Sequence, residues 1–406
     1  MRWISRCRAV VAMAVGVLLS VAACADTEGG TAAGGRPDGG ERAPSAVGDT
    51  PPRVPSAAGL PGFVADVGFA SDGSGFALLA ECGRKRCRQH VAVLDAGADT
   101  WRLRRSPLAD VTGDLGITAG LVVLGPGRAL ITEGGWPPPD RTWFTGDRGR
   151  SWRAGTTEPS GTVPVVSGGG ALVEDCARAD REGNSCERSR LLTVVPATGE
   201  YRSLAAQPPL KGPMIPAGEI ARGTAGSLLL ASGRDPGSDR PALAVSEDRG
   251  RTWRLSRLPG STRHGSGMRV VAAPGTEGNK LYAAQPGHLP GEDDVKNGLL
   301  ALHRSADAGH TWERVWEHRR GVEPRSLLGA PVAAADGSLT LHGEDGAWRS
   351  TDGGRTFTRA EDSRGPAGSV TTTPLGYLGG DSHGSGRFRI SADGVHWTSF
   401  ALGGGD

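Results

Sequence analysis

The octapeptide Thr145-Gly146-Asp147-Arg148-Gly149-Arg150-Ser151-Trp152 decides the fold of this 406-residue chain, because variants of it recur along the sequence. Full copies of the form Ser/Thr-x-Asp-x-Gly-x-Ser/Thr-Trp/Phe lie at 246–253, 305–312 and 350–357, and a copy one residue shorter lies at 391–397. The Asp can accept backbone hydrogen bonds in a tight turn, and the Gly permits the positive φ that closes it. The motif therefore predicts equivalent β-hairpins, with these turn and strand-start residues: Asp147 and Trp152, Asp248 and Trp253, Asp307 and Trp312, Asp352 and Phe357, and Asp393 and Trp397.

The aromatic residue after each turn also measures the repeat. Two degenerate copies, ending at Trp101 and Tyr201, extend the series to seven positions that lie 40 to 59 residues apart. Repeats of ~40–50 residues are typical of propeller blades. The chain also has 65 Gly and 28 Pro, which argues against a helical bundle. The sequence predicts an all-β, seven-bladed β-propeller over residues 60–406, with six or eight blades as alternatives.

The repeated motif resembles the Asp-box of the BNR-repeat β-propellers, a family that includes sialidases, the sortilin luminal domain and photosystem assembly-factor propellers. This resemblance implies four-stranded blades. Sialidases also use a tyrosine nucleophile, three substrate-binding arginines and an early Phe/Tyr-Arg-Ile-Pro motif. The nearest match here, Phe388-Arg389-Ile390-Ser391, is in the last repeat and is expected to be a third strand. Tyr201 is one of the seven marker aromatics, and Tyr282 and Tyr377 are expected in second strands, so no catalytic residue can be assigned.

The strand pattern places the repeated turns at one end of the ring. In the second repeat we expect strands over 119–124, 129–132, 141–145 and 151–154. In the fifth we expect 268–272, 280–284, 299–305 and 311–315. The Asp-boxes are then third turns, which lie at one end, whereas the middle turns lie at the opposite end.

The middle turns vary in length and are rich in charge, so they are candidates for binding, although tolerated surface insertions are the alternative reading. Trp136, flanked by prolines, is the most suggestive of these residues, but it could equally cover a neighbouring blade. Cys82 with Cys87 and Cys176 with Cys186 bracket two middle turns and predict two disulfides, which we favour over a zinc site. The candidate binding residues are Glu81, Arg84, Glu133, Trp136, Asp140, Arg141 and Glu174.

The N-terminus predicts export. A short basic stretch and an apolar run over 9–23 form a signal peptide, residues 1–23. Val21-Ala22-Ala23-Cys24 resembles the lipobox of bacterial lipoproteins and implies lipidation of Cys24; an ordinary export signal is the alternative. Residues 24–59 are rich in Gly, Pro and Ala and predict a flexible tether. We therefore expect a lipoprotein on the outer face of the membrane, in a bacterium whose excess of Arg over Lys indicates a GC-rich genome.

The sequence limits the classes of function more than it selects one. A formal net charge of +2 gives no broad footprint for nucleic acid, and the nine His form no metal-binding motif, so we expect no nucleic acid, metal or cofactor. The leading hypothesis is a monomeric, non-catalytic propeller that binds an envelope glycan or protein. The alternatives are an extracytoplasmic glycoside hydrolase of sialidase-like architecture and an assembly or quality-control factor for an envelope complex.

Overall fold

Strands and turns make up the residues described by the computed structural model, which are 51–112, 119–134, 141–181, 186–222, 226–261, 265, 267–360, 368–380 and 386–404. Within them, 29 strands form seven sheets and no helix is present. The sheets are the seven blades of a β-propeller, as the repeat predicts. Blade 1 comprises β1 (Phe63–Phe69), β2 (Gly75–Cys82), β3 (Arg86–Leu94), β4 (Trp101–Arg104) and β5 (Val111–Thr112). Blade 2 comprises β6 (Ala119–Gly125), β7 (Arg128–Glu133), β8 (Arg141–Thr145) and β9 (Arg153–Thr156). Blade 3 comprises β10 (Thr162–Val163), β11 (Ala171–Ala179), β12 (Cys186–Val194) and β13 (Tyr201–Leu204).

Blades 4 to 7 each contain four consecutive antiparallel strands. The predicted third strands of the second and fifth repeats match β8 and β20 at both ends, and the other predicted strands of these repeats differ by one or two residues at one end or at both. Blade 4 comprises β14 (Lys211–Ala221), β15 (Ser227–Arg234), β16 (Pro241–Ser246) and β17 (Arg254–Arg257), and blade 5 comprises β18 (Arg269–Ala272), β19 (Leu281–Pro286), β20 (Leu299–Ser305) and β21 (Glu313–Glu317). Blade 6 comprises β22 (Val332–Ala333), β23 (Leu339–Gly343), β24 (Gly346–Ser350) and β25 (Thr358–Arg359). Blade 7 comprises β26 (Ser369–Thr373), β27 (Gly376–Gly380), β28 (Arg387–Ser391) and β29 (Thr398–Ala401).

Blade 3 departs from the repeated order. Its strands run β10-β13-β12-β11, so that β11 is an edge strand and β10 pairs in parallel with the outer strand β13. The segment before β11 thus extends the outer edge of the sheet instead of supplying a first, innermost strand. Blade 1 has a smaller addition, because β5 pairs with β3 beyond the end of β4.

The hydrophobic core is divided among the seven contacts between neighbouring blades. Each contact contains a cluster of buried side chains from two consecutive sheets, including the contact between blades 7 and 1. Each of the seven marker aromatics packs into one cluster, on the side of its blade that faces the preceding blade. The regular spacing of these aromatics therefore reflects a repeated packing position: Trp101, Trp152, Tyr201, Trp253, Trp312, Phe357 and Trp397.

The segment before β1 helps to close the ring. Val54 is buried in the cluster between blades 7 and 1, and Trp101 Nε1 donates a hydrogen bond to Pro55 O at 3.0 Å. Ala57 forms a parallel bridge with Leu402, next to the outer strand of blade 7. Residues 54–57 of the segment that the composition assigns to the tether thus pack on the propeller, because Val54 and Ala57 find long-range apolar partners. The signal peptide, Cys24 and the rest of the tether lie outside the described residues.

Both predicted disulfides are present. Cys82 is bonded to Cys87 and Cys176 to Cys186, so that each bond closes its own hairpin. Two disulfides indicate an oxidising, extracytoplasmic environment. The described ranges contain no membrane-spanning helix.

Candidate functional site

The two ends of the ring differ in what their turns contain. We call the end with the turns between third and outer strands the box face, since it carries all five Asp-boxes. We call the opposite end, with the turns between second and third strands, the loop face. The predicted binding residues that the structure describes belong to loop-face hairpins of blades 1, 2 and 3.

The Asp-boxes use their polar atoms within the turn. In the third box, Asp307 Oδ1 accepts hydrogen bonds from Ser305 Oγ at 2.8 Å and from Thr311 N at 2.8 Å, and Oδ2 accepts one from Thr311 Oγ1 at 2.6 Å. The boxes at Asp147, Asp248 and Asp352 repeat these bonds. In the shorter fifth box, the imidazole of His396 replaces the hydroxyl group, with Nδ1 2.7 Å from Asp393 Oδ2.

The charge of each box Asp is stabilised by these donors. Burial alone would raise the pKa of Asp307, but the hydrogen bonds from Thr311 and Ser305 outweigh it and lower the pKa to about 2. For Asp352 the hydrogen bonds from Thr356 are the largest influence, and they hold its pKa well below the ordinary value. Carboxylates occupied in this way stabilise turns.

The box turn also has a backbone feature that the sequence did not reveal. The motif predicts a positive φ at its Gly, and Gly309 has a φ of 78°. The preceding residue is left-handed too, with φ values of 63° at Arg148, 60° at Arg249 and 54° at Ala308. In the fourth box a second glycine, Gly353, takes this place with a φ of 76°. The turn therefore needs two consecutive left-handed residues, a conformation that costs energy for any residue other than glycine.

The loop-face hairpin of blade 1 has a strongly basic tip. Glu81 and Arg84 are both exposed, and Glu81 Oε2 is 3.1 Å from His90 Nε2. Arg84 forms no ion pair within the part of the chain that the structure describes. Arg86 Nη1 is 3.4 Å from Asp110 Oδ2. Lys85 and Arg88 are exposed at the same tip.

In blade 2 the structure brings together two predicted residues. Glu133 Oε1 accepts a hydrogen bond from Trp143 Nε1 at 2.7 Å and lies 3.9 Å from Arg141 Nη1. Glu133 thereby fixes an indole and pairs weakly with a largely exposed arginine. The remaining two candidates of this hairpin, Trp136 and Asp140, lie outside the described residues.

In blade 3, Glu174 is partly buried on β11. Burial raises its pKa, the neighbouring charge of Asp175 adds to this, and a hydrogen bond with Ser189 opposes it. Asp175 Oδ2 in turn accepts a hydrogen bond from Arg190 Nε at 2.6 Å. The described candidate residues thus lie on three consecutive blades, and the polar contacts of Glu81, Glu133, Arg141 and Glu174 fall within their own hairpins.

Three ionisable residues that the sequence did not single out lie on first strands around the ring axis. Burial raises the pKa of Asp66 on β1 to about 6, although Leu121 N on β6 donates a hydrogen bond to its Oδ2 at 2.9 Å. Burial also raises the pKa of Glu219 on β14, against a hydrogen bond with Ser227 and the nearby charge of Arg249. Burial lowers the pKa of Arg269 on β18. The hydrogen bond between Asp66 and Leu121 connects neighbouring blades, and a contact between residues so far apart in the sequence cannot be predicted from a local motif.

A cluster of charged residues that the sequence did not single out lies on the loop face of blade 5. Glu292 is 6% exposed, and its carboxylate lies 3.2 Å from His318 Nε2 and 3.3 Å from Arg325 Nη1. Arg325 Nε also contacts Glu323 Oε1 at 2.9 Å. These contacts join the long middle turn to the connection that leads into blade 6. The cluster therefore orders this part of the loop face.

The tyrosines are unsuited to nucleophilic catalysis. Tyr201, Tyr282 and Tyr377, which are all the tyrosines of the chain, are buried within or between blades. Tyr282 and Tyr377 lie on second strands, as predicted, and Phe388 to Ser391 lie on the third strand β28. Tyr377 is also fixed by a hydrogen bond from its hydroxyl group to Ala333 O at 2.9 Å. Among the described residues, no group of three or more His, Cys, Asp or Glu could hold a metal ion.

Comparison with known proteins gives similarity to solved structures alone. No protein-family model matches the chain, and no curated protein matches it significantly. A structure of YCF48 bound to D1 peptide is 13% identical, covering 84% of this chain and 94% of its own, with a TM-score of 0.43. An ulvan lyase of polysaccharide lyase family 25 is 9% identical over 85% of this chain and 95% of its own, with a TM-score of 0.45. The α-L-arabinofuranosidase Arb93A from Fusarium graminearum is 11% identical over 82% and 91%, with a TM-score of 0.38. These similarities assign no activity to this chain.

Proposed function

We propose that this protein is an exported, non-catalytic β-propeller that binds an envelope glycan or protein through its loop face. The observation that carries the proposal is the pair of disulfide-closed hairpins in blades 1 and 3, which present exposed charged side chains on that face. A covalently closed hairpin loses less conformational freedom when it binds a partner. Long, irregular connections on a rigid scaffold are also where binding commonly occurs.

The opposite face supports the same division of roles. Its box carboxylates are occupied by turn hydrogen bonds, and the aromatic residues that follow them pack between blades. We further propose that lipidation of Cys24 holds the propeller at the outer face of the membrane. The protein would then act where envelope polymers and proteins are accessible.

Hydrogen exchange on the mature protein tests this proposal. The protein is compared alone and with solubilised envelope fractions, and the expected result is protection in the loop-face segments 81–89, 133–141 and 174–189. The box turns 145–152 and 305–312 serve as internal controls, because they are expected to exchange equally in both states. Protection confined to the box face would contradict the proposed binding surface.

Glycoside hydrolysis is the second candidate, and one observation favours it. Asp66 and Glu219 are partly buried carboxyl groups on first strands, burial raises the pKa of each, and a carboxyl group with a raised pKa is suited to act as a general acid. The test is to screen the protein against envelope and plant polysaccharides beside its Asp66→Asn and Glu219→Gln variants. Hydrolysis that both variants abolish, while both remain folded, would replace the binding proposal with an enzymatic one.

A further inference from the structure

We propose that the tip of the blade 1 hairpin, residues 82–88, is a binding site for a polyanionic glycan, meaning a polymer of sugars or polyols with closely spaced phosphate or carboxylate groups. This inference rests on the proposed function, since it names the partner class of one part of the loop face. Its basis is four cationic side chains in five residues: Arg84, Lys85, Arg86 and Arg88.

The geometry of the hairpin holds these cations outward. Cys82 pairs with Cys87 across β2 and β3, and Gly83 N donates a hydrogen bond to Arg86 O at 2.8 Å, which leaves Arg84 and Lys85 at the tip. Along β3, buried Cys87 and Gln89 alternate with exposed Arg86 and Arg88. Gln89 Nε2 also donates a hydrogen bond to Ala109 O at 2.8 Å and so attaches the hairpin to the following segment.

The positive charge of the tip is largely uncompensated within the described residues. Asp110 is 3.4 Å from Arg86, and Glu81, which lies opposite Arg88 in the strand register, contacts His90 instead. Arg84, Lys85 and Arg88 form no ion pair with the residues that the structure describes. The disulfide-closed hairpin of blade 3 is different, because there Arg178 pairs with Glu187 at 2.9 Å. Clustered cations of this kind repel one another and attract an anionic partner.

The residue types indicate the chemistry of that partner. All four side chains are cationic, and the three arginines among them, a share no higher than in the whole chain, have planar guanidinium groups that can bind phosphate or carboxylate oxygens in a bidentate manner. The disulfide and the strand pairing fix the backbone of the hairpin before binding, which lowers the entropic cost of ordering it. A row of cations along a rigid β-hairpin matches a flexible chain of regularly spaced anions.

The surroundings favour a hydrated polymer over a protein or a membrane. Protein interfaces depend on apolar or aromatic anchors, whereas the large hydrophobic residues exposed in the described regions, Leu103, Val322 and Val395, lie outside the hairpin. Arg53 is 3.4 Å from Asp99 in a box-face turn, so the chain reaches the propeller from the box face. A membrane anchor upstream of residue 51 would therefore be joined to the propeller at the face opposite the basic hairpin.

The experiment measures binding of the mature protein to poly(glycerol phosphate) and to polygalacturonate by titration calorimetry. Dextran, poly-glutamate and phosphatidylglycerol vesicles are the comparison ligands. The test variant is Arg84→Glu/Lys85→Glu, and the matched control is Arg319→Glu/Arg320→Glu. The control makes the same change of charge at two exposed, adjacent arginines that also lie on the loop-face side, between blades 5 and 6. Thermal melts verify that both variants remain folded.

We expect at least one of the two polyanions to bind and the Arg84→Glu/Lys85→Glu variant to bind it at least tenfold more weakly, whereas the control stays within twofold. For three or four anionic contacts, raising the salt from 50 to 200 mM should weaken binding roughly 20–50-fold, by analogy with counterion release from single-stranded nucleic acids. An equal loss in both variants, equal affinity for poly-glutamate, preference for vesicles, or no binding of either polyanion would overturn the inference. If the exchange experiment still shows loop-face protection outside 81–89, the proposed function stands without it; absence of all loop-face protection removes the proposed function itself.

Discussion

Replacing Asp307 by Ala tests whether the Asp-boxes are structural. The change removes an acceptor from three hydrogen bonds, donated by Ser305 Oγ, Thr311 N and Thr311 Oγ1. Ser305 is 2% exposed, so its hydroxyl group cannot turn to water for a new acceptor, and this loss costs ~1–3 kcal/mol. Thr311 is exposed, so water can accept the hydrogen bonds that its backbone N–H and its hydroxyl group no longer donate to Asp307. We therefore expect the free energy of unfolding to fall by about 2–3 kcal/mol.

The corresponding change in melting temperature follows from the size of the propeller. An unfolding entropy of ~2.1 cal/mol/K per residue over roughly 350 residues gives ~0.7 kcal/mol/K, so the Tm should fall by about 3–4 °C. Asp307→Asn retains one acceptor oxygen and should lose about half as much. Asp293→Ala is the control, because the Asp293 side chain is 90% exposed on the loop face and its one ion pair with a described residue is with His288 at 3.5 Å.

Differential scanning calorimetry and urea unfolding measure both quantities. The structural interpretation is refuted if Asp307→Ala melts like Asp293→Ala while it loses binding to an envelope fraction. In that case the box carboxylate would serve recognition, and the five boxes would be a set of binding sites instead of turns.

Two further predictions concern acid and export. Because the pKa of Asp307 is about 2 in the folded protein and 3.8 ordinarily, its charge stabilises the fold above pH 4, and this contribution disappears as the pH falls to 2. The Tm difference between the native protein and Asp307→Ala should therefore be full at pH 6 and clearly smaller at pH 2, where a protonated Asp307 can still accept the hydrogen bond from Ser305; a difference that does not change with pH would contradict this. Cys24→Ala should move the protein from the membrane fraction to the medium, as shown by fractionation and immunoblotting. If the intact mass of the mature native protein shows no lipid, the proposed lipid anchor on Cys24 is wrong.

The repeat made most of the blade architecture predictable. Each box fixes the end of a third strand and the start of an outer strand, so β8 and β20 could be assigned from Trp152 and Trp312 without any alignment. The prediction is good because the box and its aromatic are local in sequence and recur in one packing position. The same repeat also predicts the hairpins that contain the middle turns. The four loop cysteines could be paired because each pair brackets one of these turns.

The remaining features depend on contacts between distant residues. The parallel pairing of β10 with β13 and the bridge of Ala57 with Leu402 have no local motif, and both segments look like linkers by composition. Asp66 reaches Leu121 on the next blade, and Glu292 reaches His318 across an insertion. Periodicity reports which side of a strand is buried, but it does not report which carboxylate meets which partner across a blade contact.

The bridge between Ala57 and Leu402 also has a mechanical consequence. The N-terminal segment runs parallel to β29, with Ala57 N donating to Ala401 O at 2.7 Å and Gly403 N donating to Ala57 O at 3.1 Å. A pull on the chain upstream of Arg53 acts along this segment, so it loads both hydrogen bonds in shear together instead of peeling them apart one at a time. The same pull draws Val54 against the contact between blades 7 and 1, the seam where the ring closes. Tension in the tether would therefore act on the contact between blades 7 and 1, where the ring closes. Because the two hydrogen bonds are loaded in shear, this contact can resist the tension.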